Sequence, residues 1–392
     1  MMNRVTRLII ILLVLALAHG YVATSFYIMI SHHSVWLIFT LIYLLQLMMP
    51  LLRFKEASWS KKNPVLKPIL KILGILSLLT IGLFSIIFFF AAIRDLVLLV
   101  SGLVFSTPIV EEISTVSFKF EIILTAAVMA IGIYQALIGP GVKHVQIPLQ
   151  GLPEVFEGFR IVQVSDLHIG PTIRTSYVRN VVRLINELKG DMVALTGDIT
   201  DGSPDELASI AKELSEIQAT FGRFFVTGNH EYYHDALAWI KLHQLFGTQV
   251  LINENYIIKK ANSELAILGV SDVSGQYFVP SHISSPRTAA SGLPADMIKI
   301  LLAHQPSSYK EAHLAGVHLQ LSGHTHSGQF FPWNLVIGFF HDYYRGLNRF
   351  KDMWIYVNQG TGYWGPPLRA AVGAEITLLT LTRESIFKAK MQ

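Results

Sequence analysis

The sequence predicts an α/β protein in two parts, an N-terminal transmembrane helical region followed by a layered α/β domain. Three observations carry this expectation. Apolar residues make up 52% of the 392-residue chain and charged residues only 15%, against the roughly 25% charge of an ordinary soluble protein. Long apolar runs crowd the first third, whereas short runs alternating with amphipathic helices fill the rest. Residues 1–145 hold 11 Lys or Arg against 5 Asp or Glu, and the remainder holds 20 against 22, so the basic excess belongs to the apolar part. Intrinsic disorder is excluded by the apolar content. The absence of cysteine excludes disulfide staples, thiol catalysis and cysteine-ligated metals. The globular part has no basic excess, so no nucleic-acid partner is expected.

Four apolar runs read as membrane spans: residues 8–30, 34–52, 69–93 and 122–138. At about 1.5 Å per residue, 23 helical residues cross a hydrocarbon core of roughly 30 Å. Residues 96–105 are apolar but too short to span, and suit a re-entrant or interfacial segment or an extension of the third helix. The start can also be read as a signal peptide, with Arg4 and Arg7 before an apolar stretch and Ala16-Leu17-Ala18 as its cleavage site. Continuation of that run to Ile30 favours a retained span. The loop after the second run carries Arg53, Lys55, Lys61, Lys62, Lys67 and Lys71, which places it in the cytoplasm. Four spans then bring both ends, and the C-terminal domain, to the cytoplasmic side. Residues 1–145 are thus expected to form a membrane domain of about four helices, and 146–392 a separate globular domain. Arg94-Asp95 reads as the aqueous end of the third span, with an intramembrane polar pair as the rarer alternative. His19 and Gln135 read as interhelical hydrogen-bonding groups.

The globular part reads as alternating elements. Strands are expected at 160–165, 192–196, 223–227, 265–270, 299–303, 318–322, 354–358 and 375–381. Helices are expected at 175–189, where Val178, Val181, Val182, Ile185 and Leu188 share a face, and at 204–217 and 235–246. Ser203 is a plausible cap for the helix that Pro204 opens.

The polar chemistry follows the strand ends. Asp166 and His168 follow the first strand, Asp198 the second, and Asn229 and His230 the third; His304 follows the strand at 299–303, and His324 and His326 the next. Ligands of open α/β sheets collect at the carboxyl ends of strands, so these segments should converge. Oxygen and imidazole donors without thiolate suit Mn, Fe, Zn or similar ions. So many donors exceed the needs of one ion and suit two divalent ions sharing a carboxylate, a pair that can activate a bridging hydroxide and clamp a phosphoryl oxygen. Each fragment alone is weak, because Asp after a strand is usually a turn residue. The ordered set, each piece after a strand, is specific.

The order Asp166-Leu167-His168, Gly197-Asp198 through Asp201, Gly228-Asn229-His230-Glu231, Ala303-His304 and Gly323-His324-Thr325-His326 resembles the calcineurin-like metallophosphoesterase superfamily. More narrowly, it is similar to the bacterial membrane-associated subgroup typified by YkuE and YaeI. The resemblance covers about residues 150–392. It implies a layered αββα metallophosphoesterase domain at a bacterial inner membrane. It further implies Asp166, His168 and His326 on a first metal, a bridging Asp198, and Asn229, His304 and His324 on a second. His230 would be the catalytic residue that orients the phosphate or protonates the leaving oxygen. Asp201 and Glu231 would orient the ligands. Gln329 and Arg369 are weaker candidates for substrate contact, and Asp272 is a turn residue.

The activity this implies is metal-dependent hydrolysis of a phosphoester or pyrophosphate at the membrane surface. Residues 330–340 are unusually apolar and follow His326 closely. They could dip into the lipid interface, favouring a lipid-linked substrate, or form a buried strand pair. The alternatives are a tethered enzyme for a soluble phosphoester and a membrane sensor or transport-coupled protein with a metal-binding domain. Neither oligomeric state nor metal identity follows from the sequence.

Overall fold

The computed structural model describes residues 4–62 and 66–384. They fall into two compact units, one of Met1–Tyr134 with Gly365–Ala370 and one of Gln135–Trp364 with Ala371–Gln392.

The first unit is helical: α1 (Arg4–Ile30), α2 (Ser34–Lys62), α3 (Leu66–Val104) and the body of α4 (Thr107–Ile138). Among the described residues three helices are long and apolar enough to cross a membrane, Ile9–Ile30, Pro68–Val104 and Thr107–Ile138; Ser34–Met48 is a shorter apolar stretch. Residues 96–105 are no re-entrant element, because α3 runs on through Val104. Of the expected basic loop, residues 53–62 continue α2 as helix, and 63–65 lie outside the described residues. Val22, Ala23 and Phe26 pack with Phe39 and Phe84, and the Phe26 ring meets Phe39 and Phe118 edge-on. Lipid supplies no hydrophobic drive for this packing, so shape and interhelical hydrogen bonds must hold it. Gln46 Nε2 donates to the Thr80 carbonyl (3.0 Å), Ser77 Oγ to that of Leu45 (2.9 Å) and Tyr43 OH to that of Leu12 (3.1 Å).

Of the polar groups singled out in these helices, Arg94 is the one that departs from expectation. His19 Nδ1 lies 2.8 Å from Leu15 O in its own helix, and the ring stacks on Phe84 of α3 at 3.6 Å. Gln135, which counts with the second unit, has its side-chain carbonyl buried without a hydrogen-bond partner. Arg94 is no aqueous terminus: it is buried, and Nη1 donates to Glu121 Oε2 of α4 (2.6 Å) while Nε donates to Asp95 Oδ1 (2.9 Å). The long guanidinium stem curls back to its sequence neighbour, which backbone geometry alone does not anticipate.

The second unit is built on two six-stranded sheets. Its strands are β1 (Gly141–Leu149), β2 (Arg160–Val164), β3 (Met192–Leu195), β4 (Arg223–Phe225), β5 (Gln249–Val250), β6 (Glu254–Lys260), β7 (Ser263–Gly269), β8 (Lys299–Leu302), β9 (Leu319–Ser322), β10 (Gly346–Phe350), β11 (Met353–Val357) and β12 (Glu375–Arg383). The orders are β1-β12-β2-β3-β4-β5 and β10-β11-β9-β8-β7-β6. Strands β2, β3, β4 and β5 pair in parallel, as do β7, β8, β9 and β11, while β12 runs antiparallel to β2. Ile161, Met192 and Phe224 of one sheet pack against Ile267, Ile300 and Leu321 of the other, so the main core lies between the sheets. Helices α5 (Thr175–Glu187), α6 (Pro204–Ala211) and α8 (Ala236–Leu245) cover the outer face of the first, with Val178, Val182, Leu207 and Trp239 buried. Short helices α9 (Pro286–Ala289) and α10 (Tyr309–Leu314) cover the other. The layers are therefore αββα. Both faces of each central strand are buried, which is why these strands read as unbroken apolar runs. Ser203 holds the N-cap position of α6, but its side chain makes no capping bond; Asp205 and Glu206 in the first turn answer the helix dipole instead.

Candidate metal centre

Five turns at the carboxyl ends of parallel strands supply the site. The turn after β2 carries Asp166 and His168, that after β3 carries Asp198, and β4 leads into the short helix α7 (Asn229–Tyr233). His304 follows β8, and His324 and His326 follow β9. Asp166, His168, Asp198, His324 and His326 all have φ between 48° and 71°. Non-glycine residues rarely take this left-handed conformation, and it clusters where function demands it. At Gly323 a Cβ would stand 1.9 Å from Ser165 Oγ and 2.1 Å from Asp166 Oδ2, so no side chain fits where β9 meets the first turn.

One donor atom from each of Asp166, His168 and His326 lies within 4.8 Å of the others, and the same holds for Asp198, His304 and His324. A third set, His168, Asp198 and His230, joins them, sharing His168 with the first and Asp198 with the second. His326 Nε2 stands 3.3 Å from Asp166 Oδ1, although 160 residues separate them. His168 Nε2 is 3.0 Å from His326 Nε2 and 3.9 Å from Asp198 Oδ2. His304 Nδ1 donates to the Thr196 carbonyl (2.8 Å), which leaves Nε2 facing Asp198 Oδ2 at 3.2 Å. The fixed tautomer turns a lone pair toward a carboxylate, an arrangement that suits a cation between them. Asn229 Oδ1 is buried without a hydrogen-bond partner, as an amide oxygen waiting on a cation would be. The donor set therefore fits divalent metal.

The surrounding bonds fix these groups. Glu231, fully buried, accepts the backbone N–H of Gly228 (2.7 Å), Asp198 (3.0 Å), Ile199 (2.8 Å) and Thr200 (3.0 Å), and so holds the turn that carries Asp198. Asp166 accepts the N–H of His324 at 3.0 Å, and Asp198 that of His230 at 2.8 Å. His230 Nδ1 is 2.9 Å from Asp201 Oδ1, and Nε2 is 4.0 Å from Asp198 Oδ2. Burial holds the imidazoles of His168 and His324 down to about 3, with His230 and His304 respectively adding to the effect, so both stay neutral with a lone pair available. For His304 burial also disfavours the charge, yet Asp198 and Asp166 outweigh it and raise its pKa well above normal. The field that draws a proton there would equally draw a metal cation.

The geometry revises the weaker candidates. Gln329 points its amide at the backbone of Trp364, donating to its carbonyl and accepting its N–H, both at 2.8 Å. Arg369 is fully buried and groups with the helical unit. Asp272 accepts the Ser274 N–H (2.8 Å), as a turn residue should. Residues 330–340 form no strand pair; they make the short helix α11 (Trp333–Val336) and a tight 3₁₀ turn, with Trp333, Leu335, Phe339 and Phe340 exposed.

Four neighbours of the site escaped sequence reasoning. Trp364 and Tyr233 stand 5.7 Å and 5.2 Å from the His230 ring. His234 lies 3.4 Å from Asp201, and the His341 ring 5.8 Å from that of His324. The i, i+4 spacing of His230 and His234 was a usable signal for one of them. Tyr233 follows His230 by three places on the same helix, whereas Trp364 and His341 reach the site only through chain return.

The sequence profile of the calcineurin-like phosphoesterases matches residues 159–328. A Danio rerio protein named transmembrane protein with metallophosphoesterase domain is 33% identical over 321 residues, which are 79% of this chain and 74% of that protein. Its Bos taurus namesake is 34% identical over 271 residues, 66% of this chain and 61% of the relative. An uncharacterized metallophosphoesterase of Bacillus subtilis, YkuE, is 30% identical over 241 residues, 59% of this chain and 81% of its own length. This chain, with its apolar N-terminal helices and its cluster of Asp and His donors, belongs to the calcineurin-like phosphoesterase family.

Proposed function

We propose that the protein is a membrane-anchored phosphoesterase that hydrolyses a phosphoester or pyrophosphate bond on a lipid-linked substrate with two divalent ions. The observation that carries the lipid preference is the apolar rim of the site. Phe339 and Phe340 are 86% and 74% exposed on a loop whose stems hold His326 on one side and His341 on the other. Trp364, Tyr233 and Phe278 are also exposed, with Tyr233 5.6 Å from Phe278 and both Tyr233 and Trp364 beside His230. Exposed apolar groups gathered at the mouth of a polar site suit an amphiphile or a membrane surface.

Asp166, His168 and His326 would hold one ion, Asn229, His304 and His324 the other, and Asp198 would belong to both. When bound, such ions polarise a phosphoryl group and make water a nucleophile at neutral pH. The chain's own part is to place groups around that chemistry. Glu231 keeps the Asp198 turn rigid. Asp201 holds the His230 ring by Nδ1, leaving Nε2 free to orient the phosphate or give a proton to the departing oxygen. The four helices would anchor the protein in a bacterial inner membrane, with the globular domain on the cytoplasmic side.

The test is turnover by the full chain in detergent, loaded with Mn or Zn, on a diacyl phospholipid, a lysophospholipid, a lipid-linked sugar pyrophosphate and bis-p-nitrophenyl phosphate. An acyl-bearing substrate should be favoured in kcat/KM by about tenfold or more. Phe339→Ser with Phe340→Ser should erase that preference and leave the chain-free rate intact. Equal rates on acylated and chain-free esters would remove the lipid reading while keeping the hydrolase. His230→Ala should cut turnover by about 10²–10⁴ with metal content unchanged.

A further inference from the structure

The helical unit contains a second polar centre, unrelated to the metal ligands. Arg94 of α3 is buried and answers two carboxylates, Glu121 of α4 at 2.6 Å and Asp95 at 2.9 Å. Ser25 of α1 also accepts from the guanidinium, and Tyr21 OH donates to Asp95 at 2.7 Å. One positive group thus faces two negative ones. Glu121 is 3% exposed, and while its Oε2 takes the Arg94 bond, its Oε1 has no hydrogen-bond partner. Buried carboxylate oxygens without a donor are costly, and more so in hydrocarbon.

Glu121 and Arg94 border a cleft between α3 and α4 of about 470 Å³. Its walls are otherwise mostly apolar, with Phe90 and Val97 on α3 and Val116 and Phe120 on α4, while Glu112 adds a further carboxylate. The volume falls within the range of small-molecule sites. Both helices belong to segments long and apolar enough to cross a membrane. The surplus of carboxylates asks for a cation or donor, and the walls ask for a hydrocarbon chain.

We propose that this cleft binds a membrane lipid whose headgroup carries a protonated primary amine. The ammonium donates to Glu121 Oε1 and offsets the excess negative charge, while an acyl chain lies along Val97, Val116 and Phe120. An anionic lipid would meet like charge and leave Oε1 unanswered.

The test is lipid retention by the full chain, delipidated in detergent and re-exposed to defined lipids, read by native mass spectrometry. Phosphatidylethanolamine should be retained over phosphatidylglycerol by about tenfold or more. Glu121→Gln, which removes the charge, and Val116→Trp, which fills the cleft, should each abolish that retention. Asp198→Asn should retain the lipid as the unaltered chain does, so failure of the hydrolase reading leaves this readout untouched. Equal retention of phosphatidylglycerol, or unchanged phosphatidylethanolamine retention in either folded variant, overturns the proposal. So does full displacement by excess ethanolamine, which would mean that the cleft takes the free amine and not the lipid. If Glu121→Gln does not fold, Val116→Trp decides alone.

Discussion

The metal centre and the Arg94 centre both bury carboxylates, and they satisfy them in opposite ways. At the metal centre the donors are backbone. Glu231 takes four N–H groups, Asp166 takes that of His324, and Asp198 that of His230. In the helical unit the donors are side chains: Arg94, Ser25 and Tyr21 serve Asp95, and Arg94 serves one oxygen of Glu121. Inside a helix each backbone N–H is already spent on the carbonyl four residues back, so none can turn to a buried charge. Turns at strand ends leave N–H groups free to converge. Rigid ligand placement is therefore native to the sheet ends, whereas charge inside the helices rests on long side chains that leave atoms unmatched.

This contrast can be broken experimentally at three points. The largest effect should follow Asp198→Asn. Losing the carboxylate that links the donor sets should lower turnover of bis-p-nitrophenyl phosphate by about three orders of magnitude or more, since several kcal/mol of charge stabilisation go with it. Chelator should mimic the loss in the unaltered chain, and added Mn or Zn should reverse it there. Full activity of Asp198→Asn would show that the linked sets do not act together.

Next comes Arg94→Met. Removing one partner of a buried ion pair strands the other, at a cost of about 3–5 kcal/mol. Thermal unfolding of the helical unit in detergent should move down clearly, followed by helical circular dichroism. Rescue by Glu121→Gln and Asp95→Asn in the same chain would identify the stranded carboxylates as the cause. No shift in the single variant would mean that the pair contributes nothing.

The smallest effect concerns a third kind of buried polar group, one with no answering donor. His243 is fully buried, stacks on Phe225 at 3.9 Å, and neither ring nitrogen has a hydrogen-bond partner. Burial, aided by Arg223, pushes its pKa down to about 3, from an ordinary value near 6.5. The folded state therefore refuses a proton that the unfolded state accepts. The stability this contributes is complete above about pH 6.5 and is lost as pH falls from there toward 3. His243→Phe should be near neutral at pH 7 and should flatten the fall in unfolding temperature between those limits. Parallel pH curves for the two proteins would show that His243 does not stay neutral in the fold.

Much of the catalytic unit was legible beforehand because its strands are short apolar runs closed by polar turns. The donor residues stand two to four places past a strand end, and parallel topology brings such positions together wherever they lie in the chain. Strands β1, β5, β6 and β10 escaped notice. Their burial alternates or is partial, as in Gly141–Leu149, where the first half is exposed and only the last three residues are buried. The helical unit was legible as hydrophobic lengths but not as contacts. Arg94 looked like a span end because its sequence neighbours are indistinguishable from one, and only the approach of α1 and α4 turns it inward.

What the sequence determined by itself was periodicity and chemistry: which stretches exceed a membrane's thickness, which alternate as strand and helix, and which residue types can bind metal. Those properties are local, set by side chains a few positions apart. The tertiary structure decided which oxygen of Glu121 goes without a donor, that Gln329 clamps the backbone of Trp364, and that Phe339 and Phe340 stay exposed. Each depends on partners far along the chain, and a hydrogen bond that fails beyond a few tenths of an ångström cannot be read from spacing.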